Sequence, residues 1–265
     1  MGPISESNLT IAPAFYASQV DLSGPFSPSH KRTTTKIWLT VFCCCTTSAV
    51  SIKIMDNYST DAFIMVFTRF VCDQGYPKKL YCDGGSQIIK GCQSMTLDFK
   101  DIQSKLHRSK DVDLSICPVG GHNMHGKVER KIQEVNKSIE KNVANNRLSL
   151  LQWEALSSVI ANTINDLPIC IGNKVDVETI DLITPNRLLL GRNNDRSPVR
   201  EMILSNNPTK LMKSNERVYN AWFENWLISN VPNLMNQSKW FASGRNIQVG
   251  DIVLFKKIDS TNSKI

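Results

Sequence analysis

No C-x-x-C pair occurs in this 265-residue chain, so its eight cysteines form neither a zinc ribbon nor a thioredoxin-like motif. Cys43, Cys44 and Cys45 stand side by side inside an apolar, strand-like run, which is no disulfide framework either. Buried, reduced thiols in a nuclear or cytoplasmic protein are expected. His122 and His125, with Cys117 nearby, fit no common structural zinc spacing and lack a fourth ligand. The longest apolar run, around Ile37–Cys45, is broken by Thr40 and falls far short of a bilayer span. The opening MGPISESNLT has no basic stretch followed by an apolar one, so no secretory signal and no membrane partner are expected. Glycine (13) and proline (11) are too ordinary for a collagen-like or low-complexity chain.

What is present is the profile of a soluble globular chain, with 41% hydrophobic and 21% charged residues. One domain is too few for this length and three full ones are too many. The 31 basic and 24 acidic residues give a net charge of +7, unevenly spread. Residues 1–195 carry 21 basic and 19 acidic side chains, whereas residues 196–265 carry 10 and 5. A basic C-terminal part on a near-neutral body suits a polyanion such as nucleic acid, or simply a solubilising surface.

The periodicities describe an α/β chain. Phe15–Phe26 reads as a strand, Lys36–Thr47 as a second and Ala49–Met55 as a third, close enough together for an antiparallel meander. Ser59 or Thr60 then caps a helix to about Cys72, ended by Gly75 and Pro77. Lys79–Cys82 is a short strand, Thr96–His107 a helix and Val112–Cys117 another strand. From about Met124 to Val143, Val128, Ile132, Val135 and Ile139 step by 4, 3 and 4, one apolar stripe on a basic helix. A further helix follows at about Leu148–Leu167. Strands first, then alternating helices and strands, imply a mixed sheet.

Three acids stand where a packed core has little use for them. Asp21 is in the middle of the first strand, Asp83 closes the fourth, and Glu129 sits one turn into the amphipathic helix beside its apolar stripe. If the first and fourth strands are neighbours, Asp21 and Asp83 approach side by side, and a helix packed on the sheet brings Glu129 to the same point. Clustered carboxylates demand cations, and hard oxygen ligands suit Mg²⁺. Two such ions about 3.5–4 Å apart are the recurrent clamp for in-line attack at phosphorus. From spacing alone, three unrelated solvated or capping acids remain the alternative.

The motifs around these acids are more specific. Asp21-Leu22-Ser23-Gly24-Pro25-Phe26, Tyr81-Cys82-Asp83-Gly84-Gly85-Ser86 and Gly120-Gly121-His122-Asn123-Met124-His125-Gly126-Lys127-Val128-Glu129-Arg130 resemble the integrase catalytic domain of retroviruses and LTR retrotransposons. Ser59-Thr60-Asp61-Ala62-Phe63, Gly75-Tyr76-Pro77-Lys78 and Thr184-Pro185-Asn186-Arg187-Leu188-Leu189-Leu190-Gly191-Arg192 resemble the BEL/Pao class of these transposable elements. Trp222, Trp226, Lys239-Trp240 and Val249-Gly250-Asp251-Ile252-Val253-Leu254 look like the connection to a C-terminal SH3-like barrel. The resemblance runs from about residue 13 to the end.

It implies an RNase H-like mixed sheet with flanking helices, and a DDE triad of Asp21, Asp83 and Glu129 acting as both catalytic residues and metal ligands. The implied cofactors are two Mg²⁺ or Mn²⁺ ions. The implied function is DNA integration: 3′-end processing of element DNA and its strand transfer into target DNA, by a homo-multimer on the DNA. His122, Asn123, Lys127, Arg130, Lys131 and Lys137 are the candidate DNA contacts; a helix cap by Asn123 and a solvated basic face are the alternatives. Trp222 and Trp226, spaced i, i+4, are expected to pack a linker helix on the core.

The sequence also departs from the family. Gly84 stands where Asn is common after the second Asp, Val128 replaces the usual Trp, and 45 residues lie between Asp83 and Glu129. Residues 1–12, a polar tail, hold neither His nor Cys, so no His₂Cys₂ zinc module is expected there. The expected organisation is a core over 13–195, a basic helical linker over 196–240 and a truncated barrel over 241–265, as in a fragment or a decayed copy. On that organisation, a catalytically inactive transposon-derived nucleic-acid-binding protein is the second functional expectation.

Overall fold

The computed structural model describes residues 12–28, 36–82, 104–107, 112–116, 122–143, 148–171, 182–192, 194, 209–234 and 248, with the side chains of 114–116, 122–129, 171 and 230–234 excepted. The expected helix at Thr96–His107 is described only over 104–107, and the expected barrel segment over 241–265 only at residue 248. The chain divides into two compact units, Met1–Trp226 and Leu227–Ile265.

The first unit is built on a five-stranded sheet of β1 (Ala17–Phe26), β2 (Ile37–Cys44), β3 (Val50–Met55), β4 (Lys79–Cys82) and β5 (Asp113–Ile116), in the order β3-β2-β1-β4-β5. β1, β2 and β3 form the antiparallel meander, while β4 pairs parallel to β1 and β5 parallel to β4. This is the expected α/β architecture, a mixed sheet with flanking helices. Its central strand is β1, so a side chain there has a neighbouring strand on either side.

Helix α1 (Thr60–Gln74) covers one face of the sheet. Ser59 caps it, its hydroxyl oxygen accepting from the Ala62 N–H at 3.2 Å, and Gly75 ends it at a positive φ of 86° that suits glycine. Its apolar stripe of Phe63, Phe67 and Phe70 packs on Val20, Leu22, Phe42 and Leu80. Phe70 stacks on Phe42 with ring centroids 4.0 Å apart and meets Phe15 edge-on at 5.3 Å.

The opposite face carries α2 (His122–Asn142) against β1 and β2, and α3 (Leu150–Asn165) against β3. A Ser149–Gln152 capping box opens α3. At its other end the buried Asn165 amide clamps one residue of β3, accepting from the Val50 N–H at 2.7 Å and donating to the Val50 carbonyl at 2.8 Å. The two-residue strands β6 (Cys170–Ile171) and β7 (Leu182–Ile183) pair antiparallel. They lead into α4 (Pro185–Leu190), capped by Thr184 and ended by Gly191 in the left-handed region. Helix α5 (Lys210–Leu234) is the last described element.

Four expectations need correction. β1 begins at Ala17, because Phe15 adopts a φ of +63° in the preceding turn while its ring is buried. β2 ends at Cys44, because Cys45–Thr47 form a turn that closes through Cys44 N–H to the Ala49 carbonyl at 2.8 Å. α2 begins at His122, so His122 and Asn123 lie in its first turn, and Glu129 two turns in. Among the described cysteines, all free, Cys72 and Cys170 are exposed and only Cys43, Cys44, Cys45 and Cys82 are buried.

Candidate active site on the central strand

Strand alternation divides β1 into two rows. Val20 and Leu22 enter the core beneath α1, which leaves Gln19, Asp21 and Ser23 on the face covered by α2. Asp21 is partly buried there; it pairs with Val41 of β2 and directly follows Val20, which pairs with Cys82 at the end of β4. Its Oδ1 accepts from the Leu22 N–H at 2.9 Å, and its Oδ2 accepts from Asn136 Nδ2 at 3.1 Å. One turn further along α2, Glu140 Oε1 accepts from the Ser23 hydroxyl at 3.2 Å. A polar row of the central strand thus meets a polar line of the helix, beside the apolar contact made by the buried Ile132, Val135 and Ile139.

Helix α2 is held from its other side by α5. Trp222 Nε1 donates to Ser138 Oγ at 3.1 Å, and Trp226 Nε1 donates to Glu134 Oε1 at 3.1 Å. Both indoles are buried, and they stack on each other with ring centroids 5.5 Å apart. The expectation that these tryptophans pack a helix on the core therefore holds. Tyr219, one turn before Trp222, shares a 2.9 Å hydrogen bond with Thr163 of α3. Burial raises the pKa of its hydroxyl above the ordinary 10.0; the Thr163 bond pulls it back and the charge of Asp166 pushes it up again.

Of the sequence-derived site residues, Asp21, Arg130, Lys131 and Lys137 have described side chains. Asp83 lies outside the described residues, and the side chains of His122, Asn123, Lys127 and Glu129 are likewise undescribed. Arg130 and Lys137 are exposed, with Lys141 on the same line of the helix. Lys131 instead pairs with Glu134 at 3.7 Å and its side chain is only 18% exposed. Asp61 lies in the first turn of α1, where a negative charge suits the helix N-terminus, and pairs with Lys105 at 3.2 Å. Among the described residues, no group of three or more His, Cys, Asp or Glu side chains could hold a metal ion. None of the described helices is long and apolar enough to cross a membrane.

Asn136, Glu140 and Ser23 escaped sequence reasoning. The signal for Asn136 was its spacing: seven residues beyond Glu129, it falls within about 20° of the same helix line. It therefore flanks the apolar stripe where an exposed-face residue would not.

No protein family model matches the chain, and no curated protein matches it. Solved structures do. An integrase assembly (intasome) of simian T-cell lymphotropic virus, solved with the PP2A regulatory subunit B56 gamma, aligns at 18% identity and TM-score 0.45 over 71% of this chain. That alignment spans 57% of the viral chain, so the present chain matches little more than half of it. The HTLV-2 integrase catalytic core domain with magnesium aligns at 17% identity and TM-score 0.41 in its trimeric form, over 68% of this chain and 98% of that one. Its dimeric form aligns at 16% and 0.39, over 61% and 92%.

Proposed function

We propose that this chain is the catalytic part of an LTR-retrotransposon integrase of the BEL/Pao class, a metal-dependent polynucleotidyl transferase whose triad is Asp21, Asp83 and Glu129. The observation that carries the reading is the β1–β4 register. Val20 pairs with Cys82 and Gln19 with Tyr81. Cys82, the last residue of β4, thus pairs with the residue before Asp21, and Asp83 is the next residue in sequence after Cys82. Tyr81, two residues before Asp83, shares the sheet face of Gln19 and Asp21 by strand alternation.

The helix supports the same reading. Asn136 and Glu140 touch Asp21 and Ser23, and position 129 of the α2 backbone lies on the line that passes through them, about 10.5 Å before Asn136. The donor chemistry fits a hard cation: Asp21 offers carboxylate oxygens, partly buried and already hydrogen-bonded, on a rigid central strand. Asp83 and Glu129 would complete the set. Mg²⁺ or Mn²⁺ bound there, two ions in all, would supply Lewis acidity, activating the attacking water or 3′-hydroxyl and stabilising the leaving oxygen. The substrate is DNA, as element ends and target, held by a homo-multimer in the nucleus or cytoplasm. Arg130 and Lys137 present exposed charge on α2 for phosphates; His122, Asn123, Lys127 and Lys131 complete the proposed DNA contacts. The core over 13–195, the basic linker over 196–240 and the barrel segment over 241–265 are proposed as the organisation that carries this chemistry.

Joining of labelled oligonucleotide ends to a plasmid in Mn²⁺ or Mg²⁺ tests the reading. Strand-transfer products that vanish together in Asp21→Asn, Asp83→Asn and Glu129→Gln support it. Unchanged products in Asp83→Asn would remove the triad.

A further inference from the structure

Resting on the integrase reading, the geometry points to Asn136 as the residue that positions Asp21 for its cation. Among the described residues, the carboxylate of Asp21 accepts from the Leu22 N–H at 2.9 Å on one oxygen and from the Asn136 amide at 3.1 Å on the other. The first comes from its own strand and cannot fix the side chain against the rest of the molecule. The second comes from a helix 115 residues away in sequence and does. A carboxylate offers about four lone-pair directions in all, so hydrogen bonding and metal ligation can share its two oxygens. Ligating carboxylates are characteristically oriented by such outer partners.

The choice of residue at 136 argues the same way. An acceptor-only carboxylate requires the NH₂ end of the amide to face it, which fixes the orientation of the Asn side chain. The Asn136 Oδ1 that results is buried and has no hydrogen-bond partner among the described residues. Position 136 borders the buried stripe of Ile132, Val135 and Ile139, where leucine would pack without an unpaired polar atom of its own. Asparagine is thus a costly choice for packing and a suitable one for directing a neutral donor at Asp21. A lysine or arginine there would also donate, but its positive charge would compete with the cation.

Mn²⁺ binding to the full chain, followed by electron paramagnetic resonance titration, tests this with Asn136→Leu, Asn136→Ala, Asn136→Gln and Asp21→Asn. Asn136→Leu is expected to keep the thermal midpoint yet bind Mn²⁺ about 10–100-fold more weakly. Its half-maximal Mn²⁺ concentration for strand transfer should rise in parallel, with kcat at saturating Mn²⁺ largely retained. Asn136→Gln, which keeps the amide donor, should recover part of the affinity. Wild-type Mn²⁺ affinity in a folded Asn136→Leu or Asn136→Ala, alongside loss of binding in Asp21→Asn, overturns the role of Asn136 and leaves the integrase reading standing. Unchanged Mn²⁺ binding in Asp21→Asn overturns the integrase site itself. If neither the Leu nor the Ala variant folds, Asn136 is structural and the positioning role is likewise overturned.

Discussion

Asn136 Nδ2 and Asp21 Oδ2 lie 3.1 Å apart, joining the middle of α2 to the middle of the central strand β1. Ser23 and Glu140 repeat the contact one helical turn later at 3.2 Å. Helix and strand therefore run side by side along a polar seam. Whatever moves α2 moves the surroundings of Asp21, which makes the packing of that helix part of the site's chemistry.

The tryptophans of α5 hold α2 in that position. Trp222 is completely buried and donates to Ser138. Trp222→Ala should cost about 3–5 kcal/mol of stability, the range for emptying a large aromatic site. Trp222→Phe keeps most of the packing and forfeits the indole donor, so it should cost about 0.5–1.5 kcal/mol. Urea unfolding of the two variants beside the parent chain gives both numbers, and a Trp222→Phe variant as stable as the parent would mean that packing, not the hydrogen bond, is all that matters.

Asn165 makes a second joint, between α3 and the start of β3. Replacing it by leucine leaves the Val50 N–H and carbonyl without their amide partner in a buried setting. A loss of about 1–3 kcal/mol for each unpaired group is expected, read as a lower urea midpoint.

Arg130 and Lys137 are exposed along one line of α2. If they meet phosphates, Arg130→Gln and Lys137→Gln should each weaken DNA binding across all sequences and reduce the slope of log K against log salt by about 1. Titrations at several salt concentrations check this. A slope unchanged in the double variant would identify the row as a solvated helix face.

The Tyr219 hydroxyl carries a raised pKa, burial being the leading cause. In the unfolded chain it titrates near the ordinary 10.0, so above that pH the unfolded state has lost a proton that the folded state still holds. The stabilisation is complete below pH 10 and is lost as the pH rises from there through the folded-state pKa. Tyr219→Phe should flatten that alkaline fall, seen by following the thermal midpoint from pH 9 upward.

Much of the fold is legible in the sequence because its periods are long and consistent. β4 runs over Lys79–Cys82 as read, and the stripe Ile132, Val135 and Ile139 is buried as its spacing requires. Strand starts are harder, since a buried Phe15 in a left-handed turn looks in sequence like one more strand residue. β6 and β7 have two residues each, too few for any alternation to register. The cap of α4 could have been found: Thr184 before Pro185, with Gly191 after the last turn, is a local stop-and-start signal. Asp21 was legible as a carboxylate in a motif of the first strand. Its contacts were not legible, because the Asn136–Asp21 bond spans 115 residues and depends on how α2 lies along β1.

The central claim is that Asp21, Asp83 and Glu129 hold ions at one place. Iron(II) substituted for Mg²⁺, with ascorbate and peroxide, generates radicals that cut the backbone beside the bound ion, and the fragments can be mapped by mass spectrometry. The account predicts three clusters of cuts, around residues 21, 83 and 129, all suppressed by excess Mg²⁺ and all lost together in Asp21→Asn. Cuts confined to one of the three segments, or undiminished in Asp21→Asn, would contradict it.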